Sequence, residues 1–386
     1  MPRRLTIGLR YKHRDAWVGG VYYVRNLVLA LKRLPRGLRP RLVVIGEDLQ
    51  ALEDLGEATG YEDLRLVSKT RVQRAPARPS ALWGAGRGDE IDLILLDTPP
   101  GFEDRGILWI PDFQEHRHPE FFAATELDER LERNRTRLGR HRHVMVSSQD
   151  VAADLDRYYG TMGNRVHVVR FACSEPSGPA AEDAAALRAK YDLPDRYFIC
   201  SNQFWKHKNH DVVLRALADI NADEPLPPMV FTGREEDNRD PAFGPSIKAR
   251  AKALGLDHRV RFLGFVPRQD QLGLIKASIA VIQPSLCEGW STVAEDAKAA
   301  GRHVMASDIP VHREQLVRYA DFFAPHGHEA LARLLRTYED IDPIVVPVNY
   351  EAARRRFTRD LWRMITNVER DLRRRRIDRL LIAPGA

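Results

Sequence analysis

Short apolar runs alternate along the chain with stretches whose apolar residues recur at helical spacing. Leu5–Arg10 reads as a buried strand. Gly19-Gly20 follows as a glycine loop, and Val21, Val24, Val28 and Leu31 then share one face of a helix. Further strands are predicted at Arg41–Ile45, Ile91–Leu96, Ile107–Ile110, Val144–Ser147 and Val166–Phe171. Near-continuous apolar strands alternating with helices indicate a parallel sheet covered on both faces. The stretch Ser174–Ala186 is small, polar and proline-containing, and reads as a linker. The alternation then restarts, with strands predicted at Arg196–Cys200, Met229–Thr232, Val260–Phe265, Ile279–Ile282 and His303–Ala306. Two doubly wound α/β halves are the simplest architecture: a first domain over 1–173, a linker over 174–186 and a second domain over 187–349. From Tyr350 to the end, Phe357, Leu361, Ile365, Val368 and Leu372 form the apolar stripe of one long helix, which turns its arginines outward.

Composition narrows the class. With 386 residues, 44% hydrophobic and 30% charged, the chain has material for two cores and a solvated surface. No apolar run approaches the ~20 residues of a membrane-spanning helix. The start, Met1-Pro-Arg-Arg-Leu, runs directly into a strand without the apolar stretch of a secretory signal, so a cytoplasmic setting is expected. Three separated cysteines, Cys173, Cys200 and Cys287, suit neither a disulfide framework nor a zinc site. The net charge is +6, and arginines concentrate in 130–142 and 354–379. Such segments are either solvated helix faces or a surface for anionic partners.

The segment richest in chemistry is Pro284-Ser-Leu-Cys-Glu-Gly-Trp-Ser-Thr-Val-Ala-Glu-Asp-Ala-Lys-Ala-Ala-Gly301. It reads as strand, short loop, helix. Thr292 and Glu295 have the spacing of a capping box. The free N–H groups at Ser291, Thr292 and Val293 would form an anion site suited to a diphosphate. Glu288 lies in the loop, and Asp296 lies one turn into the helix, where it could accept two hydrogen bonds from vicinal hydroxyls. This segment resembles the signature of the retaining, nucleotide-sugar-dependent glycosyltransferases of family 4 (group 1), in which two acids are separated by seven residues. Glu288 and Asp296 take those positions, and Gly301 and His303-Val-Met-Ala-Ser-Asp-Ile-Pro310 continue the match. The resemblance implies the GT-B fold, with two Rossmann-like doubly wound domains, a deep interdomain cleft and a last helix returning to the first domain. It also implies that Glu288 binds the donor sugar or its phosphate and that the second acid binds the ribose, with Glu295 standing beside Asp296 as the other candidate.

Three other segments join it. Cys200-Ser-Asn-Gln-Phe-Trp-Lys-His-Lys-Asn-His210 is a second strand-to-helix junction, loaded with cations. The family carries an Arg and a Lys there that clamp the donor diphosphate. Lys208 matches the Lys, Gln203 stands where the Arg would be, and Lys206 could supply the missing charge as a point charge rather than a planar fork. His207 and His210 could hold a metal by spacing, but no carboxylate or third ligand accompanies them. Gly19-Gly20 matches the family loop that approaches the donor phosphate. Ile110-Pro-Asp-Phe-Gln-Glu-His-Arg-His-Pro-Glu-Phe-Phe122 resembles a family stretch in which Asp112 and a histidine, His116 or His118, orient the acceptor hydroxyl or the transferred sugar. Phe262-Leu-Gly-Phe-Val-Pro267 resembles the segment near the nucleotide base.

The resemblance implies a hexosyltransferase with Asp112, His116, Lys208 and Glu288 as its catalytic group. It implies a nucleotide-sugar donor, a saccharide or glycolipid acceptor, no metal and no cofactor. The protein is expected in polysaccharide or glycoconjugate assembly, at the inner face of the membrane, with no nucleic acid as partner. A GT-B epimerase or phosphorylase shares the fold. A basic protein binding membrane surfaces or nucleic acid is the reading of another class.

Overall fold

The structure is a computed structural model. It describes residues 4–11, 18–68, 91–99, 102–160, 162–174, 181–237, 239–317, 319–338 and 349–382. The chain divides into two compact units. The first comprises Met1–Phe113, Asp128–Ser174 and Glu351–Ala386; the second comprises Gln114–Leu127 and Glu175–Tyr350. The short segment after Phe113 thus goes with the second unit, and the last helix with the first.

The first unit is built on seven parallel strands: β1 (Thr6–Arg10), β2 (Arg41–Gly46), β3 (Leu64–Ser68), β4 (Leu93–Leu96), β5 (Gly106–Trp109), β6 (His143–Val146) and β7 (Arg165–Val168). Their spatial order is β3-β2-β1-β4-β5-β6-β7. Leu9 pairs with Val44 on one side and Leu95 on the other, so β1 lies mid-sheet, buried on both faces. The second unit carries β8 (Phe198–Ser201), β9 (Met229–Thr232), β10 (Val260–Gly264), β11 (Val281–Gln283), β12 (Val304–Ser307) and β13 (Ala320–Phe323). Their order, β10-β9-β8-β11-β12-β13, is that of a nucleotide-binding doubly wound sheet. All of the strand pairs in this second sheet are parallel.

Strand β8 shows why the second sheet is covered twice. Phe198 and Cys200 enter a core with Val213, Leu217 and Phe231, while Tyr197 and Ile199 enter another with Val230, Leu274 and Val304. Alternate side chains serve opposite faces, and each large one contributes roughly 1.5–3 kcal/mol on full burial. Between β8 and β11 the strand order reverses, and the carboxyl ends there form the natural binding crevice of such a sheet. Gly233 follows β9 at φ +143°, and a Cβ on it would stand 2.1 Å from the Asn202 carbonyl oxygen. Only glycine lets the exits of β8 and β9 approach so closely.

The pattern missed two strands, Leu64–Ser68 and Ala320–Phe323. Both are edge strands whose mixed polarity hides them. Gly19 and Gly20 stand inside the first turn of the helix Val18–Lys32 rather than in a loop before it. The helix Ala181–Lys190 begins within the stretch read as linker, because its Ala and Glu residues favour helix. The last helix, Tyr350–Ile382, buries Phe357, Leu361, Ile365 and Val368 as its stripe requires. Phe171 meets Phe357 edge to face at 6.5 Å. Farther along, Asp371 accepts from Arg142 at 3.1 Å and Arg165 at 2.8 Å, and lies 3.2 Å from His143 Nε2. Among the described residues no helix is long and apolar enough to cross a membrane.

Candidate functional site

In the second unit the chain leaving β8 and the chain leaving β11 are held together by side chains. Asn209, in left-handed conformation, donates to the carbonyls of Pro284 (3.1 Å) and Pro325 (2.7 Å). Leu286 N–H donates to the His207 carbonyl at 2.8 Å. These links bring Lys208 to Glu288, with Nζ 2.5 Å from Oε1. Gln283 and Ser285 donate to the same oxygen at 3.0 and 2.8 Å. Gln283 in turn accepts from Asn202 at 3.2 Å. The Lys208 and Glu288 side chains are only 14% and 9% exposed, so bulk water screens their charges little.

The histidines around this pair are neutral. Burial holds His207 well below its ordinary range, and Lys208, Arg239, His118 and His210 add to that effect. Burial brings His210 down to about 3, with its ring stacked 4.4 Å from Phe204. Burial also lowers His312, against the opposing pull of Glu288. No group of three or more His, Cys, Asp or Glu among the described residues is arranged to hold a metal ion.

The helix Thr292–Ala299 begins beside Glu288. Its cap is Ser291, not Thr292: the Ser291 hydroxyl accepts from Ala294 N–H at 3.2 Å. The expected capping box is therefore absent. Glu295, 1% exposed, instead accepts from Lys298 (2.7 Å), Gln315 (3.1 Å) and the Tyr350 hydroxyl (2.5 Å). Gln315 also grips both backbone groups of Ser291, at 3.1 and 2.7 Å. The N–H groups of Thr292 and Val293 have no acceptor within the helix and carry its positive dipole end.

Asp296 lies one turn in, as expected, but its oxygens are engaged. Arg268 binds both, Nη1 to Oδ2 at 2.7 Å and Nη2 to Oδ1 at 2.8 Å, and Asp296 is 2% exposed. Arg268 also donates to Gln271, which donates to Ser201, which shares a hydrogen bond with Thr232. Sequence reasoning missed Arg268. Its signal was a cation in the first turn of the helix Arg268–Ala277, where the dipole disfavours positive charge.

The remaining expected residues fall as follows. Gln203 is half-buried in the loop leaving β8. Lys206 is turned to Asp240 at 2.9 Å, which lowers the Asp240 pKa, so its charge is already matched. Arg239, also missed, lies 5.2 Å above Phe122 and 5.5 Å above Trp205 and donates to Gln114 at 3.2 Å. His116 is half-buried on the short helix Gln114–Arg117 of the second unit. Asp112 is half-buried after β5, and it belongs with Gly19 and Gly20 to the first unit.

Comparison with known proteins agrees with this picture. Residues 184–354 match the family model for glycosyl transferases group 1, which bears out the resemblance over the second unit. A D-inositol 3-phosphate glycosyltransferase of Streptomyces avermitilis is 26% identical over 221 residues, 55% of this chain and 47% of that protein. The lipopolysaccharide core biosynthesis mannosyltransferase LpcC of Rhizobium leguminosarum is 30% identical over 179 residues, 46% of this chain and 49% of that protein. The chain thus spans about half the length of the curated relatives it matches. Among solved structures, a glycosyltransferase from Rickettsia africae aligns with TM-score 0.68 at 16% identity, covering 96% of this chain and 98% of that one. Anabaena HepE in complex with UDP aligns with TM-score 0.62 at 16% identity, covering 97% and 100%. These likenesses show the fold, which is GT-B.

Proposed function

We propose that this protein moves a sugar from a nucleoside-diphosphate sugar to an acceptor hydroxyl in polysaccharide or glycoconjugate assembly. The carrying observation is the Lys208–Glu288 pair at the strand-order reversal, beside a helix start whose Thr292 and Val293 N–H groups have no acceptor within the helix. A leaving diphosphate needs positive charge that is fixed before the bond breaks. In this reading the Thr292 and Val293 N–H groups supply it, and Lys208, held in place by Glu288, turns its remaining N–H groups to the diphosphate. Glu288 steers Lys208 and receives the donor sugar. The Arg268–Asp296 pair serves the ribose as a unit, since Asp296 does not stand alone. Lys206 and Gln203 border the diphosphate in this reading, and His116, on the same unit, serves the acceptor hydroxyl. The relatives' names support the class: HepE is bound to UDP, and LpcC is a mannosyltransferase of lipopolysaccharide core. We assign retention of configuration, with a donor phosphate oxygen taking the acceptor proton on the face of departure. Glu288 is engaged by Lys208 and both Asp296 oxygens by Arg268, so this reading gives neither carboxylate the nucleophile's part.

The test is a thermal-shift panel with UDP, GDP, dTDP and ADP. A nucleotide at 100 times its dissociation constant adds about 2.7 kcal/mol to the native state. One nucleotide is expected to stabilise the protein, and Lys208→Ala is expected to lower transfer by on the order of 10²-fold or more. Stabilisation by none of them, or unchanged transfer in the variant, overturns the assignment.

A further inference from the structure

Far along the chain from these residues, and wholly within the first unit, the end of the helix Val18–Lys32 and the helix Tyr350–Ile382 enclose an open groove of about 690 Å³. Five arginines line it, namely Arg33, Arg355, Arg359, Arg363 and Arg370, with Trp362 among them and Glu351 as the one acid. Glu351 is engaged by Arg33, and Arg359 by the neighbouring Asp360 at 3.1 Å. Arg355 and Arg363 have no carboxylate partner among the described residues. Burial first, then Arg354 and Arg355, lower the Arg33 pKa, so the cations here are crowded against one another.

The row from Arg355 to Arg370 runs about 22 Å along one helix face, at 1.5 Å per residue. Its spacing suits a surface of repeated charge rather than a single ion. The apolar members decide what kind of surface. Trp362 is half-buried between the arginines, Leu34 and Pro35 form the opposite wall, and Leu38 on the same turn is 47% exposed. An amphipathic indole and an exposed leucine beside arginines match a headgroup layer with an apolar interior beneath it. Duplex nucleic acid offers no such apolar counterpart.

We propose that this groove docks the protein on an anionic bilayer, its arginines on lipid phosphates and Trp362 and Leu38 at the acyl boundary. The proposal does not depend on the sugar-transfer reading. The full chain is mixed with vesicles of phosphatidylcholine alone and of phosphatidylcholine with phosphatidylglycerol, and bound protein is measured by flotation across a salt series. Binding is expected to the anionic vesicles only and to fall with salt. Each arginine near such a surface is worth about fivefold in partitioning, so Arg355→Gln with Arg363→Gln should lower binding by more than tenfold. The same charge change at the exposed Arg133 and Arg140 should lower it far less. Quenching of tryptophan emission by brominated acyl chains should be lost in Trp362→Phe.

No binding to anionic vesicles, or equal loss in the two double variants, overturns the proposal. So does tighter binding of soluble glycerol phosphate or of an RNA duplex than of vesicles, lost in the groove variant. A thermal transition matching wild type confirms that the groove variant is folded. Its unchanged shift with nucleotide would separate this result from the fate of the donor site.

Discussion

Arg268 and Asp296 form a bidentate pair with almost no access to water, and removing one partner leaves a buried charge uncompensated. Arg268→Ala should therefore destabilise the protein by about 3–5 kcal/mol in urea unfolding. Adding Asp296→Ala should restore part of that loss, and additive losses would refute the coupling. The strand-to-helix junctions that carry Lys208 and Glu288 were legible in the sequence because each is a local motif. Arg268 was not, because its partner is 28 residues away and the pairing exists only in three dimensions. Glu295 was misread for a related reason. Its spacing from Thr292 suits a cap, but Lys298, Gln315 and Tyr350 compete for the same carboxylate and prevail.

At the scale of elements, the start of the helix Thr292–Ala299 rests on two different supports. Ser291 satisfies one backbone donor, and Gln315 fixes the Ser291 backbone from outside. Ser291→Ala should cost about 1 kcal/mol, measured by urea midpoint, because only the cap is lost. A cost near zero would mean that the hydroxyl is not the effective cap. Strands buried on both faces, such as β4 and β9, were legible as apolar runs. The edge strands β3 and β13 were not, because an edge strand needs an apolar pattern on fewer of its positions. Ser148 likewise caps the helix Gln149–Tyr159, its hydroxyl accepting from Val151 N–H at 3.1 Å.

At the scale of the whole molecule, six histidines are held below their ordinary range. Burial lowers His141, His143 and His167 in the first unit, and His207, His210 and His312 in the second. Each takes up a proton more readily when unfolded, near the ordinary 6.5, than when folded, down to about 4 for His167 and about 3 for His210. Stability is thus complete above pH ~6.5 and declines as pH falls through the interval down to those folded values. At pH about 5 the loss is on the order of 2 kcal/mol per fully buried histidine. Urea midpoints should drop between pH about 7.5 and about 5, and His167→Gln should flatten part of the slope. Equal midpoints at the two values would exclude this origin. The doubly wound halves were legible from alternation alone, but which unit claims residues 114–127 and the last helix is a spatial fact that periodicity does not encode. That allocation sets an order of completion. The helix that seats Phe357 against Phe171 and Asp371 against Arg142 is translated after every strand of the second unit. The first unit is therefore completed only after the second has been translated, and until Phe357, Leu361 and Ile365 arrive its apolar flank stays uncovered on the nascent chain, a place for chaperones to hold.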